Sequence, residues 1–211
     1  MDLIAEITPS LLDGLKTTLL LFLIIVMITI PLGFLIACVR VYAPKWLSWI
    51  IQVYIYIMRG TPLLLQLMIV FFGLPLVGIT FDRFPAAVFT FTINYAAYYA
   101  EIFRGGILSI PKGQFEAIKV LGIGKINGFR KIIIPQVMRV VLPSVGNEVI
   151  ALVKDTSLIY ILGIGELLRA GQIAANTYAS LIPYAAVGAI YLIVTGLVTL
   201  LLNAIEKKSN Y

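Results

Sequence analysis

Histidine is missing from this 211-residue chain, cysteine occurs once, and charged residues make up only 12% of it. Without histidine there is no imidazole base, no histidine metal ligand and no histidine proton relay. A lone cysteine, Cys38, excludes a disulfide framework and a cysteine-rich metal site, and reads as a small hydrophobe at the end of a span. No phosphate-binding loop is found either: Gly124-Lys125 is followed by Ile126, which has no hydroxyl for magnesium. The G-x-G runs at Gly122–Gly124 and Gly163–Gly165 open no dinucleotide motif and read as loop glycines. No catalytic residue, metal site or resident cofactor is expected.

What the chain has in excess is apolar surface, with 61% hydrophobic residues and a mean hydropathy of +1.02. Soluble domains are nearer half apolar and a quarter charged, so lipid is the solvent here. Each membrane-crossing helix needs roughly 20 apolar residues. Uncharged runs place five spans at 11–39, 46–72, 85–107, 136–158 and 183–205. An odd number of crossings puts the termini on opposite sides. The net charge of +6 then has an order that a nucleic-acid surface would not explain. Arg40, Lys45, Arg104, Lys112, Lys119, Lys125, Arg130, Lys131, Lys207 and Lys208 all fall on one side, whereas Lys16, Arg83 and Arg169 fall on the other with Asp2, Glu6, Asp13, Asp82 and Glu166. Cytoplasmic loops carry the Lys and Arg excess, which sets the N-terminus outside and the C-terminus inside. The first ten residues carry Asp2 and Glu6 and lack a positive stretch, so no cleavable signal peptide is expected.

The first span reads as a packing or lipid-facing helix, with Thr17, Thr18 and Thr29 able to bond back to its own backbone. Arg59-Gly60-Thr61-Pro62 should kink or unwind the second, and Pro143 should interrupt the fourth. A basic loop at about 108–135 is broken by Pro111, Gly113, Gly122, Gly124 and Gly128 into short amphipathic helices. A glycine-bearing outer segment at 161–182 reads as a short surface helix.

Ionisable groups inside a span are costly, about 2.5–3.5 kcal/mol each at a helix centre, and usually face a bundle interior or a watery cavity. On the fourth span Ser144, Glu148 and Asp155 share one stripe, with Asn147 and Lys154 beside it. On the third, Asn94, Tyr98, Glu101 and Gly105 repeat at i, i+4, i+7 and i+11. Two polar stripes on successive spans predict a shared passage, with Glu148 the foremost residue in it. The plainer alternative is that these groups only bond the helices together.

The basic loop carries Glu116-Ala117-Ile118, Gly122 and Ile132-Ile133-Ile134-Pro135. This resembles the EAA loop of ABC-importer permeases, E-A-A, three residues, G, nine residues, I-x-L-P, with Ile118 standing for the second alanine and Ile134 for the leucine. Arg59-Gly60-Thr61-Pro62-Leu63-Leu64, Ala100-Glu101-Ile102-Phe103-Arg104-Gly105-Gly106-Ile107, Leu142-Pro143 with Gly146-Asn147-Glu148, and Lys154-Asp155-Thr156-Ser157-Leu158 extend the resemblance to the permeases of polar amino-acid uptake, which serve histidine, arginine, lysine, glutamine and glutamate.

The resemblance implies an all-α integral membrane protein of type I importer architecture, one permease domain over residues 1–211, in a bacterial-type cell membrane. It implies a permease dimer, expected to be a homodimer, with two ATPase subunits that bind ATP and magnesium and an extracytoplasmic amino-acid-binding protein. In that scheme Glu116, Ala117 and Gly122 couple to the ATPase, Glu116 by pairing with a basic group, Ala117 by allowing close contact and Gly122 by letting the backbone turn. Gln66, Asn94, Tyr98, Glu101, Glu148, Asp155, Thr156 and Ser157 form the candidate substrate passage. Three carboxylates favour a cationic solute (arginine, lysine or histidine) by Coulomb attraction, while Arg59, Arg139 and Lys154 can neutralise them or hold the solute's carboxylate. The rival reading is an ion-coupled secondary transporter of small polar solutes, against which stand the absent histidine, the odd span count and the lack of an inverted repeat. A third is a non-transporting membrane scaffold.

Overall fold

The structure, a computed structural model, describes residues 2–209, and these contain helices and no strand. Helix α1 covers Asp2–Tyr42 and α2 covers Lys45–Gly60. Helix α3, Leu63–Met68, runs on through a wide π turn at Ile69–Gly73 and a tight turn at Leu74–Val77. Helix α4 is Arg83–Ser109 and α5 is Lys112–Val120. The short α6, Lys125–Gly128, passes through a second π turn at Phe129–Ile133 into α7, Ile134–Asp155, which tightens into a 3-10 turn at Thr156–Leu162. Helices α8, Leu167–Thr177, and α9, Ile182–Ser209, complete the chain.

Three of these segments, α1, the α6–α7 run and α9, are long and apolar enough to cross a membrane alone, and α2 with α3 makes a fourth if the bent pair is one span. Helix α4 has the length, 27 residues, but Asn94, Glu101, Arg104 and three tyrosines lower its hydropathy. It is also the helix most enclosed by protein, with α1 along its length and α7 against another side. Phe91, Tyr95, Tyr99 and Phe103 of α4 sit in the main core. Lipid offers no hydrophobic drive between helices, so close backbone approach has to supply packing. Gly33 of α1 and Gly106 of α4 permit it: a Cβ there would lie 2.4 Å from Tyr99 Cβ and 2.2 Å from Val141 Cγ1. Helix α9 by contrast turns Leu192, Ile193, Leu197, Leu200 and Leu201 outward, as a lipid-facing helix must.

The break expected at Arg59-Gly60-Thr61-Pro62 is present, and Pro143 departs from the sequence expectation. The second span is turned through 104° between α2 and α3, far more than a kink. Thr61 precedes a proline and is driven out of the helical region to φ −122°, ψ 146°, so α2 stops and α3 restarts after Pro62. Pro143, in contrast, leaves α7 unbroken over Ile134–Asp155. Its missing N–H removes one bond, and the helix resumes on both sides because the surrounding segments hold it.

The two ends of the bundle differ in charge. At one end Arg40 of α1 and Arg104 of α4 both pair with Glu101. At the other, Arg83 reaches the Gly163 carbonyl at 3.5 Å and Thr18 Oγ1 accepts the Leu167 N–H at 3.2 Å. There the buried Glu166 caps α8, accepting from the N–H groups of Leu168 and Arg169 at 2.7 and 2.6 Å and from the Tyr191 hydroxyl at 3.3 Å. Burial pushes its carboxyl above the ordinary carboxylate range despite those donors.

Candidate functional site: a broken helix, two hollows and a projecting loop

Breaking α2 leaves its last carbonyls without helical partners, and in a membrane interior water cannot serve them. Side chains take over. Thr61 Oγ1 donates to the Ile57 carbonyl at 2.8 Å, and Gln66 Nε2 contacts the carbonyls of Met58 and Thr61 at 3.0 and 3.2 Å and Thr61 Oγ1 at 2.8 Å. Asn94 Nδ2 reaches the same Met58 carbonyl at 3.1 Å and Gln66 Oε1 at 3.0 Å. Both amides are buried. Gln66 is thereby turned into the break, whereas Asn94 stitches the break to α4 and also lines the hollow beside it.

That hollow has a volume of about 530 Å³ and lies among the break, α4 and α7, with Arg59, Asn94, Tyr98, Glu148 and Asp155 on its walls. Glu148 and Asp155 are seven residues apart on α7 and so share one face, with Ala151 between them in the lining. Asp155 accepts a hydrogen bond from the Tyr95 hydroxyl at 2.7 Å. Thr156 and Ser157 lie outside both hollows: Thr156 is fully buried and spends its hydroxyl on the Val153 carbonyl at 2.7 Å. Lys154 is exposed and also off the lining.

A second hollow, of about 570 Å³, lies toward the Arg40 end, walled by Trp49, Gln52, Tyr98 and Glu101 among others. Glu101 is fully engaged there. Arg104 grips both of its oxygens, with Nε at 3.0 Å from one, and Arg40 holds the same oxygen from α1. One carboxylate between two guanidiniums presents no spare negative charge. The α4 stripe therefore runs through both hollows, Asn94 in the first, Tyr98 shared and Glu101 in the second, about 10 Å of helix rise from end to end.

The basic loop projects from the Arg40 end. Glu116 and Ala117 of α5 are exposed, and among the described residues Glu116 forms no ion pair. Gly122 stops α5 at φ +67°, where the Gly122 N–H bonds the Lys119 carbonyl at 3.2 Å and the Ile123 N–H the Ile118 carbonyl at 3.1 Å. This left-handed closure favours glycine over any residue with a Cβ. Ile118 is buried against Gly128, where an added Cβ would lie 2.5 Å from Ile118 Cγ2. The larger residue at the third EAA position thus fills space that a glycine on α6 leaves open. Val120, Leu121 and Ile126 stand out beside them, more than 70% exposed.

Sequence reasoning missed four participants. Tyr95 lies one position off the α4 stripe, Arg40 is sixty-one residues from its carboxylate, and Gly128 had no signal beyond breaking a loop. Glu166 had one, an acidic residue immediately before an apolar-periodic run.

Residues 29–211 match the family described as binding-protein-dependent transport system inner membrane component. The chain belongs to that family. It is 38% identical over 202 residues to the arginine transport system permease protein ArtQ of Bacillus subtilis (strain 168), covering 95% of this chain and 92% of that one. The glutamine transport system permease protein GlnP of Escherichia coli (strain K12) is 37% identical over 203 residues, covering 95% and 93%. Among solved structures, an amino acid ABC transporter determined with histidines superposes with a TM-score of 0.89 at 35% identity, over 97% of this chain and 96% of that one. The protein is accordingly a membrane-embedded permease subunit of an ABC transport system, a transport component and not an enzyme.

Proposed function

We propose that this permease passes polar amino acids, basic ones foremost, through the hollow that Glu148 and Asp155 share. One observation carries the substrate class: of the three carboxylates near the spans, Glu101 is neutralised by two arginines, whereas Glu148 and Asp155 face a hollow with a single cation, Arg59. Two acids facing one base leave net negative charge for an ammonium or guanidinium, and the shared cation is free to meet the solute's carboxylate. Asn94 and Tyr98 add polar and aromatic wall. Gln66 and Thr156 serve the shape of the passage through backbone carbonyls, and Ser157 continues the α7 end beside them. The arginine, glutamine and histidine in the relatives' names agree on an α-amino acid and differ in the side chain.

The assembly that fits is two copies of this permease, each with five spans and an outer N-terminus, above two ATPase subunits that bind ATP and magnesium, with an external binding protein delivering solute. Glu116, Ala117 and Gly122 present α5 to the ATPase, and ATP-driven closure of the ATPase pair moves the two α5 helices together. Only a difference in contacts between the two states can drive such a switch, which the exposed α5 surface supplies on one side and the hollow on the other.

The test is to purify the tagged chain gently from its native membrane and identify what accompanies it. A stoichiometric ATPase that is lost from the Glu116→Ala chain is the expected result. Retention of the ATPase by Glu116→Ala, or a chain that comes alone under several mild detergents, would overturn the coupling assignment.

A further inference from the structure

The two hollows meet at three residues only, Arg59, Gly60 and Tyr98, which line both. The Arg59 guanidinium lies over the Tyr98 ring, 5.2 Å from its centroid. Among the described residues Arg59 forms no ion pair and no side-chain hydrogen bond, although Glu148 and Asp155 lie on one side of it and Glu101 on the other. It stands on the last turn of α2, and the next residue, Gly60, has open space where a Cβ would be. The backbone on either side is held, the Met58 carbonyl by Gln66 and Asn94 and the Thr61 carbonyl by Gln66, so the base of the arm is fixed while its tip is tied only to a ring face.

The geometry points to Arg59 and Tyr98 as a septum, a one-contact latch between an outer solute chamber and an inner chamber. This rests on reading the hollows as a solute passage. A guanidinium on a ring face is suited to the task because the contact is attractive yet much weaker than an ion pair, so a small change in helix position releases it. The charge adds selectivity. A basic amino acid that settles between Glu148 and Asp155 takes up the negative field that holds Arg59, and its own carboxylate draws the guanidinium off the Tyr98 ring. The arriving solute thereby loosens the latch, and an empty chamber keeps it closed. Arg59 is then an internal counter-ion that guards the chamber against small cations between deliveries.

The test is two-sided accessibility in the complete importer, in membrane vesicles without nucleotide. Cys38→Ala removes the only native cysteine, and Ala151→Cys places a thiol on the wall of the Glu148 hollow. A charged, membrane-impermeant methanethiosulfonate is applied to one face and then to the other. With Arg59 and Tyr98 intact the thiol reacts from one face only. Arg59→Gln or Tyr98→Leu adds reaction from the opposite face at a comparable rate, Arg59→Lys gives an intermediate rate, and Tyr98→Phe, which keeps the ring face, stays one-sided. Labelling from both faces in the Arg59/Tyr98-intact protein would overturn the septum, as would one-sided labelling in an assembled Arg59→Gln or Tyr98→Leu complex. If either of those fails to assemble, Arg59→Lys, which retains the charge, decides on the same criterion. ATP-driven uptake by the unaltered complex is read on the same vesicles: its absence sinks the passage reading, whereas uptake with two-sided labelling sinks the septum alone.

Discussion

The projecting loop and the walled hollow use their polar groups in opposite ways. In α5, Glu116 points to solvent and forms no ion pair among the described residues, and Val120 and Leu121 stand exposed beside it. Around the hollow, amides, hydroxyls and carbonyls are bonded to one another across helices that are far apart in sequence, as Asn94 is to Met58 and Tyr95 to Asp155. A surface left unsatisfied within its own chain is built to be completed by another protein. An interior whose helices are tied together in this way, while Glu148 and Arg59 on its wall form no side-chain hydrogen bond among the described residues, is built to be completed by something small. The proposed function gives force reception to the first region and solute contact to the second, in keeping with this difference.

The comparison breaks hardest at the scaffold of the hollow. Gln66→Leu removes the side-chain donor of the Thr61 carbonyl, leaves the Met58 carbonyl to Asn94 alone and takes the Gln66 acceptor from Asn94, and a buried orphan costs about 1–3 kcal/mol. The purified protein should melt several degrees lower and the 104° turn should broaden in spin-label distances across it. Glu148→Gln leaves the scaffold intact and removes one charge that a cationic solute would meet. A charged hydrogen bond is worth about 1.5–3 kcal/mol, so arginine uptake should fall by roughly tenfold to a hundredfold with unchanged melting. An equal loss of glutamine and arginine uptake would count against the preference for basic solutes.

Gly122→Val attacks the other region. A β-branched residue at φ +67° costs about 1–2 kcal/mol and loosens the end of α5. Uptake should fall while the hollow, read by solute protection of an Ala151→Cys thiol, stays as it was. The smallest effect lies at Glu166, remote from both. Its carboxyl pKa is raised by burial, so the native state holds that proton more tightly than the unfolded chain does. The stabilisation is complete below the unfolded value, near about 4.3, and is lost as pH rises through the raised native value. The melting temperature of the native protein, compared with Glu166→Gln, should therefore decline over that interval; a constant difference would show that the proton plays no part.

Much of the loop's form was legible in the sequence because it depends on local spacing. The positions of Glu116, Gly122 and Pro135 lie within twenty residues, and a left-handed helix stop announces itself as a glycine. The hollow was legible only in outline. The i, i+4, i+7 pattern placed Asn94, Tyr98 and Glu101 on one face of α4, yet it could not show that Glu101 is neutralised by Arg40 or that Gln66 turns inward to mend a broken helix. Those facts depend on how α1, α2 and α4 pack, and helix periodicity carries no information about which neighbour a face meets. Composition likewise marked α9 as a span more clearly than α4, since the helix that lines both hollows carries the polar residues that lower its hydropathy.

The most direct test of this division is uptake into liposomes holding the purified permease and ATPase, with binding protein and labelled arginine outside and ATP within. Uptake that requires ATP hydrolysis, is abolished by Glu116→Ala with solute protection of the hollow intact, and falls roughly tenfold to a hundredfold in Glu148→Gln with ATPase docking intact is the predicted result. Uptake that proceeds without ATP and follows an imposed ion gradient, or that survives Glu116→Ala, would contradict it.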